Sequence, residues 1–131
     1  MKHTKSLVTA AVALCLSGAA LADITIGVVL PLTGPASGLG IPVKNEIALW
    51  PKSIDGEKLN VIVLDDASDP TQGVKNTRRL LSEDKADVIV GSVATPVAIP
   101  MAAVAAEAET VQLALSPAVL PPGKDHWTFR L

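Results

Sequence analysis

The feature that most constrains this chain is an alternation of two periodicities. Three apolar, β-branched runs, ITIGVVL at 24–30, LNVIVL at 59–64 and ADVIV at 86–90, each stop at a turn and give way to residues at helical spacing. The runs are continuous, not alternating polar and apolar, which predicts strands buried on both faces. After Pro31 comes a Gly/Pro/Ser stretch, PLTGPASGLGIP, expected to be a loop over 31–42. A short helix is predicted from about Val43, with Val43, Ile47 and Trp50 on one face, ended by Pro51 and a turn at Asp55-Gly56. Asp65, Asp66, Ser68 and Asp69 precede Pro70. Asp69 followed by Pro70 predicts a capped helix start, with Val74, Thr77, Leu80 and Leu81 inward and Lys75, Arg78 and Arg79 in solvent. A third helix is expected from Pro96 to Glu109 with Val97, Met101, Val104 and Ala108 on its stripe, Pro100 lying near its first turn. Val111–Leu115 and Trp127–Leu131 read as the last strands, joined by a proline-rich loop over 116–125.

Strands alternating with helices imply an α/β fold with a parallel sheet and right-handed crossovers. In a flavodoxin-like order 2-1-3-4-5, a ligand crevice opens beyond the carboxyl ends of the first and third strands. That puts loop 31–42 opposite GSVATP at 91–96. There Gly91 and Ala94 add little bulk, Ser92 offers a hydroxyl, and Thr95 before Pro96 is a natural helix cap. First-turn N–H groups beyond it carry partial positive charge and suit a small carboxylate. Ser116, ending the fourth strand, adds a hydroxyl. The plain alternative is that Thr95 only caps its helix and Ser92 bonds its own turn.

The first 22 residues differ from the rest. Lys2, His3 and Lys5 make a basic start, Leu7–Leu16 is mostly apolar, and Ala20-Leu21-Ala22 precedes Asp23. This order predicts a secretory signal peptide cleaved after Ala22, too short in its apolar core to span a bilayer. Cys15, the single cysteine, leaves with it, so neither a disulfide framework nor a thiol nucleophile is expected. Taking Lys2 and Lys5 from the 11 Lys+Arg leaves 9 against 13 Asp+Glu, a formal net charge of −4. With no basic stripe and few aromatics, nucleic acid is not an expected partner. A soluble periplasmic domain fits these features.

Catalytic signals are missing. Ser92 and Ser116 have no His base within plausible reach. Glu107 and Glu109 do not share a helix face. His126 has no second ligand at metal spacing, and loop 34–40 lacks nucleotide-loop spacing. Neither enzyme activity, a metal nor a cofactor is expected. Asp65-Asp66 invites a phospho-acceptor reading, but the pair follows the second strand, and caps plus a solvated turn explain it.

The stretch VIVLDDASDPTQGVKNTRRLLSEDKADVIVGS, with PLTGPASGLGIPVKN before it and AAVAAEAE after it, closely resembles the branched-chain amino-acid-binding proteins of ABC importers, which are type I periplasmic binding proteins. The resemblance runs from Ile24 onward. It implies a receptor of two α/β lobes that close on a ligand and deliver it to an inner-membrane ABC permease. In that family the loop after the third strand supplies hydroxyls and N–H groups to the ligand carboxylate, and Gly91, Ser92 and Thr95 match it. The loop after the fourth strand usually reads I-S-x-A-A-S/T. Against Leu113–Ala118, Ser116 falls on the backbone-contact alanine and Ala118 replaces the hydroxyl residue. Ser37, in PASGLGIP, joins the candidate ligand contacts. PASGLGIP is also similar to the first loop of relatives that bind aromatic acids, so aromatic carboxylates are the alternative ligand class, and a ligand sensor of the same fold is the alternative role. The chain reaches only Leu131, so it is expected to hold the N-terminal portion of the first lobe at 23–131 without the second, with weak ligand binding alone and an apolar edge near Trp127–Leu131.

Overall fold

The computed structural model describes residues 23–131, and the expected leader at 1–22 lies outside the described residues. The first strand, β1 (Ile24–Leu30), is the centre of the sheet because its apolar side chains have a helix layer to enter on either side. Val28 and Leu30 point to one face, where Ile47 and Val90 close around them. Val29 points to the other, among Leu80, Ile89, Val97 and Met101. The remaining strands are β2 (Ser53–Ile54), β3 (Glu57–Asp65), β4 (Val88–Gly91), β5 (Val111–Ala114) and β6 (Thr128–Arg130). Their order is β2-β3-β1-β4-β5-β6, with parallel pairing throughout except for the short β2–β3 hairpin. Leaving β2 aside, this is the flavodoxin-like 2-1-3-4-5 order. The hairpin turns at Asp55-Gly56 as expected; the two-residue strand before it is too short to leave a period in the sequence.

The helices are α1 (Ser37–Ile47), α2 (Pro70–Ser82) and α3 (Thr95–Glu107). Asp69 caps α2 as its sequence predicts, accepting the Gln72 N–H at 2.7 Å, with Pro70 in the first turn. Lys75, Arg78 and Arg79 are exposed, and Arg78 reaches Glu107 of α3 at 3.3 Å.

Helix α1 begins six residues before the expected start at Val43, and Pro42 lies inside it. Local propensity favours a loop in GLGIP, but packing overrides it. Gly40 sits so close to the Pro31 carbonyl that any Cβ would overlap it, which lets the helix lie directly on the end of β1. Helix α3 ends at Glu107 instead of Glu109. Its buried face is broader than the expected stripe, taking in Ala98, Ala102 and Ala105 while Ala108 stays exposed. At the sheet's end, Phe129 and Leu131 are exposed as expected, and Trp127 is half-buried.

Helices α2 and α3 cover one face and α1 the other. The chain segments leaving β1 and β4 therefore diverge to opposite sides, opening a crevice between two hydrogen-bonded neighbours. Leu80 holds the α2 side together: it is fully buried among Val29, Ile89 and Met101. Leu80→Ala is expected to lower the unfolding free energy by about 3 kcal/mol, read as a lower midpoint in a urea melt with an unchanged slope.

Candidate functional site

Three loops meet at the carboxyl end of the sheet, and acidic side chains tie them together. Asp65, the last residue of β3, reaches across to the loop after β1. Its carboxylate accepts the Leu32 N–H at 2.8 Å, the Thr33 N–H at 3.2 Å and the Thr33 hydroxyl at 2.7 Å, and closes its own turn through the Ala67 N–H at 2.8 Å. Ser68 adds a second tie, accepting the Ala36 N–H at 3.0 Å and donating to the Thr33 carbonyl at 3.1 Å. Partial burial works to raise the Asp65 pKa, but the Thr33 hydroxyl and the Ala67, Leu32 and Thr33 N–H groups outweigh it, and the net shift is downward.

Asp66 faces inward and is fully buried. It accepts the Ser92 hydroxyl at 2.8 Å and the Ser68 N–H at 2.8 Å. Burial raises its pKa. The Ser92 and Ser68 hydrogen bonds pull it back, the charges of Asp65 and Asp69 add to the rise, and the net shift is upward. The solvated turn expected for Asp65-Asp66 is thus corrected: the pair is a brace between loops, and one member has no contact with solvent.

The β4–α3 turn carries the residues singled out in the sequence. Gly91 has φ +117°, and a Cβ there would overlap the Val29 carbonyl, so glycine is what lets the end of β4 lie against β1. Ser92 is fully buried, and its hydroxyl both donates to Asp66 and accepts the Ala94 N–H at 3.2 Å. A hydroxyl so placed cannot donate to a ligand in the crevice, which corrects the reading of Ser92 as a side-chain contact. Thr95 is not the cap of α3. Ala94 holds that position with extended backbone, and Thr95 is the first helical residue, followed by Pro96. The Val97 and Ala98 N–H groups both go to the Ala94 carbonyl, and Pro96 has none to give. Among the described residues the Thr95 N–H has no backbone acceptor, and its half-buried hydroxyl takes part in none of the side-chain hydrogen bonds.

Strand β5 brings Ser116 alongside this turn, since Val90 pairs with Leu113. The Ser116 hydroxyl is buried, 2% exposed, and has no partner among the described residues. Ala118 is not at the crevice: its methyl packs with Ala98 and Ala114 between α3 and β5, which corrects its assignment as a ligand contact. Ser37 opens α1 at the end of the neighbouring strand, its N–H bonded to the Gly34 carbonyl at 3.2 Å. Gln112 escaped the sequence reading altogether. It is fully buried on β5, and a single polar residue inside an apolar strand was the only signal for it. No cluster of His, Cys, Asp or Glu among the described residues could hold a metal ion. None of the described helices is long and apolar enough to cross a membrane.

A parallel sheet of this order, with donors left open at the switch point, is what solute receptors of the α/β type present. Residues 23–131 match the family profile for periplasmic binding proteins, and the chain belongs to that family. It is 40% identical over 97 residues to Leu/Ile/Val-binding protein homolog 3 of Brucella melitensis, an alignment covering 70% of this chain and 26% of that relative. It superposes on an extracellular ligand-binding receptor from Rhodopseudomonas palustris HaA2 with a TM-score of 0.81 and 41% identity, over 84% of this chain and 31% of that one. It also superposes on a solute binding protein of an ABC transporter from Rhodopseudomonas palustris BisB5, in complex with 3,4-dihydroxy benzoic acid, with a TM-score of 0.76 and 26% identity, over 82% of this chain and 31% of that one. The chain thus spans between a quarter and a third of the length of these relatives. They are binding proteins, not enzymes.

The two aspartates make opposite contributions to stability as pH changes. Asp65, with its folded pKa lowered, stabilises above the ordinary carboxylate value of about 3.9, and this is lost as pH falls through the folded value. Asp66, with its folded pKa raised, favours the fold most when protonated, and that contribution is lost as pH rises through its folded value. Relative to wild type, Asp66→Asn is therefore expected to gain in melting temperature as pH rises from about 4 to 7. Thermal melts of both proteins across that range check the sign.

Proposed function

We propose that this chain supplies one wall of the ligand site of a periplasmic solute-binding protein, which captures branched-chain or related amino acids between two lobes and passes them to an inner-membrane ABC permease. One observation carries the reading. Around the crevice many loop polar groups are committed to one another, while the head of α3 keeps the Val93 and Thr95 N–H groups and the Thr95 hydroxyl without partners among the described residues. A first-turn amide carries partial positive charge, and with an adjacent hydroxyl it fits one carboxylate without a formal cation. Neutral donors favour release as well as capture. The similarity to the Leu/Ile/Val-binding relative supports the amino-acid class. Ser37, Gly91 and Ser116 belong to the same reading as neighbours of the ligand: Gly91 by letting the start of the turn lie against β1, Ser116 by its unpartnered hydroxyl. Residues 1–22 fit a cleaved export signal that delivers the protein to the periplasm.

Aromatic carboxylates are the second reading, favoured by the superposition on the receptor holding 3,4-dihydroxy benzoic acid. Both classes share the carboxylate and differ in the amine and the side chain. Melting-temperature shifts with L-leucine, L-valine, benzoate and 3,4-dihydroxybenzoate separate them, because a ligand that binds only the folded chain stabilises it by an amount that grows with the logarithm of its concentration over its Kd. A shift with the amino acids alone supports the first reading, and a shift with the benzoates alone replaces it with the second.

Thr95→Val is expected to weaken binding of the responding ligand by about 1–2 kcal/mol with little change in stability, measured by titration calorimetry. Ser92→Ala is expected to act mainly on stability, lowering it by about 1–3 kcal/mol as the Asp66 carboxylate loses a buried donor. Undiminished affinity in Thr95→Val, with the protein still folded, overturns the placement of the carboxylate.

A further inference from the structure

Gln112 is a fully buried polar side chain in a strand where an apolar residue of similar shape would fill the same space without a polar group to satisfy. Its hydrogen bonds show what it holds. Nε2 donates to the Gly91 carbonyl at 2.8 Å, at the end of β4, and to the Ala98 carbonyl at 3.2 Å, in the first turn of α3. Oε1 accepts the Thr128 hydroxyl of β6 at 3.2 Å. That third bond sets which way the amide faces: with the oxygen held by a hydroxyl donor, both N–H groups are left for the two carbonyls.

The Gly91 carbonyl lies four residues before Thr95. Were the helix to wind back by one turn, this carbonyl would be the acceptor for the Thr95 N–H. Gln112 takes one of that carbonyl's two lone pairs, and Pro96, whose ring would meet the Ser92 carbonyl, opposes that winding as well. A second observation bears on the same place. The Ser116 hydroxyl, on the segment following β5, is also buried without an acceptor, so two neighbouring strand ends both present donors that the protein itself leaves unanswered.

We propose that Gln112 is a positioning residue for the carboxylate site: by tying the Gly91 and Ala98 carbonyls to one side-chain amide, it fixes the end of β4 against the first turn of α3 and so sets the direction of the Thr95 N–H and hydroxyl towards a ligand. This rests on Thr95 as the carboxylate donor and deepens that reading. Gln112 does not touch the ligand. It acts through the two carbonyls, and Thr128 acts through Gln112.

The test is an acetate titration of the 15N-labelled chain at constant ionic strength, followed at the Thr95 amide by NMR, with thermal melts in parallel. In wild type the Thr95 resonance shifts saturably with acetate and not with chloride. In Gln112→Met, folded by its spectrum, acetate affinity at Thr95 falls about tenfold, as expected for the loss of one or two hydrogen bonds. A glutamine with only a structural role lowers the melting temperature and leaves acetate affinity at Thr95 unchanged. Unchanged acetate affinity at Thr95 in folded Gln112→Met overturns the proposal. If that variant does not fold, Thr128→Val, which frees only Oε1, is expected to lower affinity about threefold, and unchanged affinity there overturns it equally. A wild-type Thr95 amide that ignores acetate removes the carboxylate site and this role together. A wild-type response kept in full by both variants removes the role of Gln112 alone.

Discussion

The site depends on two adjacent carboxylates that face opposite ways. Alternation along the strand end sends Asp65 outward to the loop after β1 and Asp66 inward to the turn after β4. The two loops flank the crevice but belong to helices that diverge, so nothing in the sheet itself fixes their separation. The Asp65–Asp66 pair does this from the neighbouring strand end. An ionised carboxylate accepting several N–H and O–H donors is a strong tie, and the opposite pKa shifts of the two residues record how different their surroundings are.

The rest of the crevice follows from which polar groups remain after these ties are made. Loop amides at Leu32, Thr33 and Ala36 are taken by Asp65 and Ser68. The Ser92 hydroxyl and the Ala94 N–H belong to the Asp66 system. The carbonyls of Gly91 and Ala98 are taken by Gln112. Among the donors left are the Val93 and Thr95 N–H groups and the hydroxyls of Thr95, Ser37 and Ser116. A binding wall of this kind is specified by subtraction: a rigid frame satisfies its own polar groups and leaves a few donors with nowhere to go but a ligand. Small residues make the frame possible, since Gly91 against β1 and the Ala98–Ala114–Ala118 contact let backbones approach more closely than larger side chains allow.

Much of the fold was legible in the sequence. Continuous β-branched runs gave the strands, and the Asp69-Pro70 step gave the start of α2, because both signals are local. The strand order and the location of the crevice followed from the alternation and from the handedness of crossovers. The candidate site was legible only as an address. The sequence predicts Thr95 as a helix cap, and it is instead the first helical residue. Ser92 and Ala118 were marked as contacts and are interior. Asp66 was read as solvated and is buried, and Gln112 went unmarked.

By itself the sequence determined a doubly covered parallel sheet, its helices and a polar turn at the end of the third long strand, since those depend on periodicity and on residues within a few positions of one another. Tertiary structure alone decided which hydroxyls the crevice keeps. That outcome depends on partners 26 residues away for Ser92 with Asp66 and 21 for Gln112 with Gly91. Whether a donor faces a ligand or a neighbouring loop is set by the direction of side chains across a twisted sheet, and no local pattern encodes it.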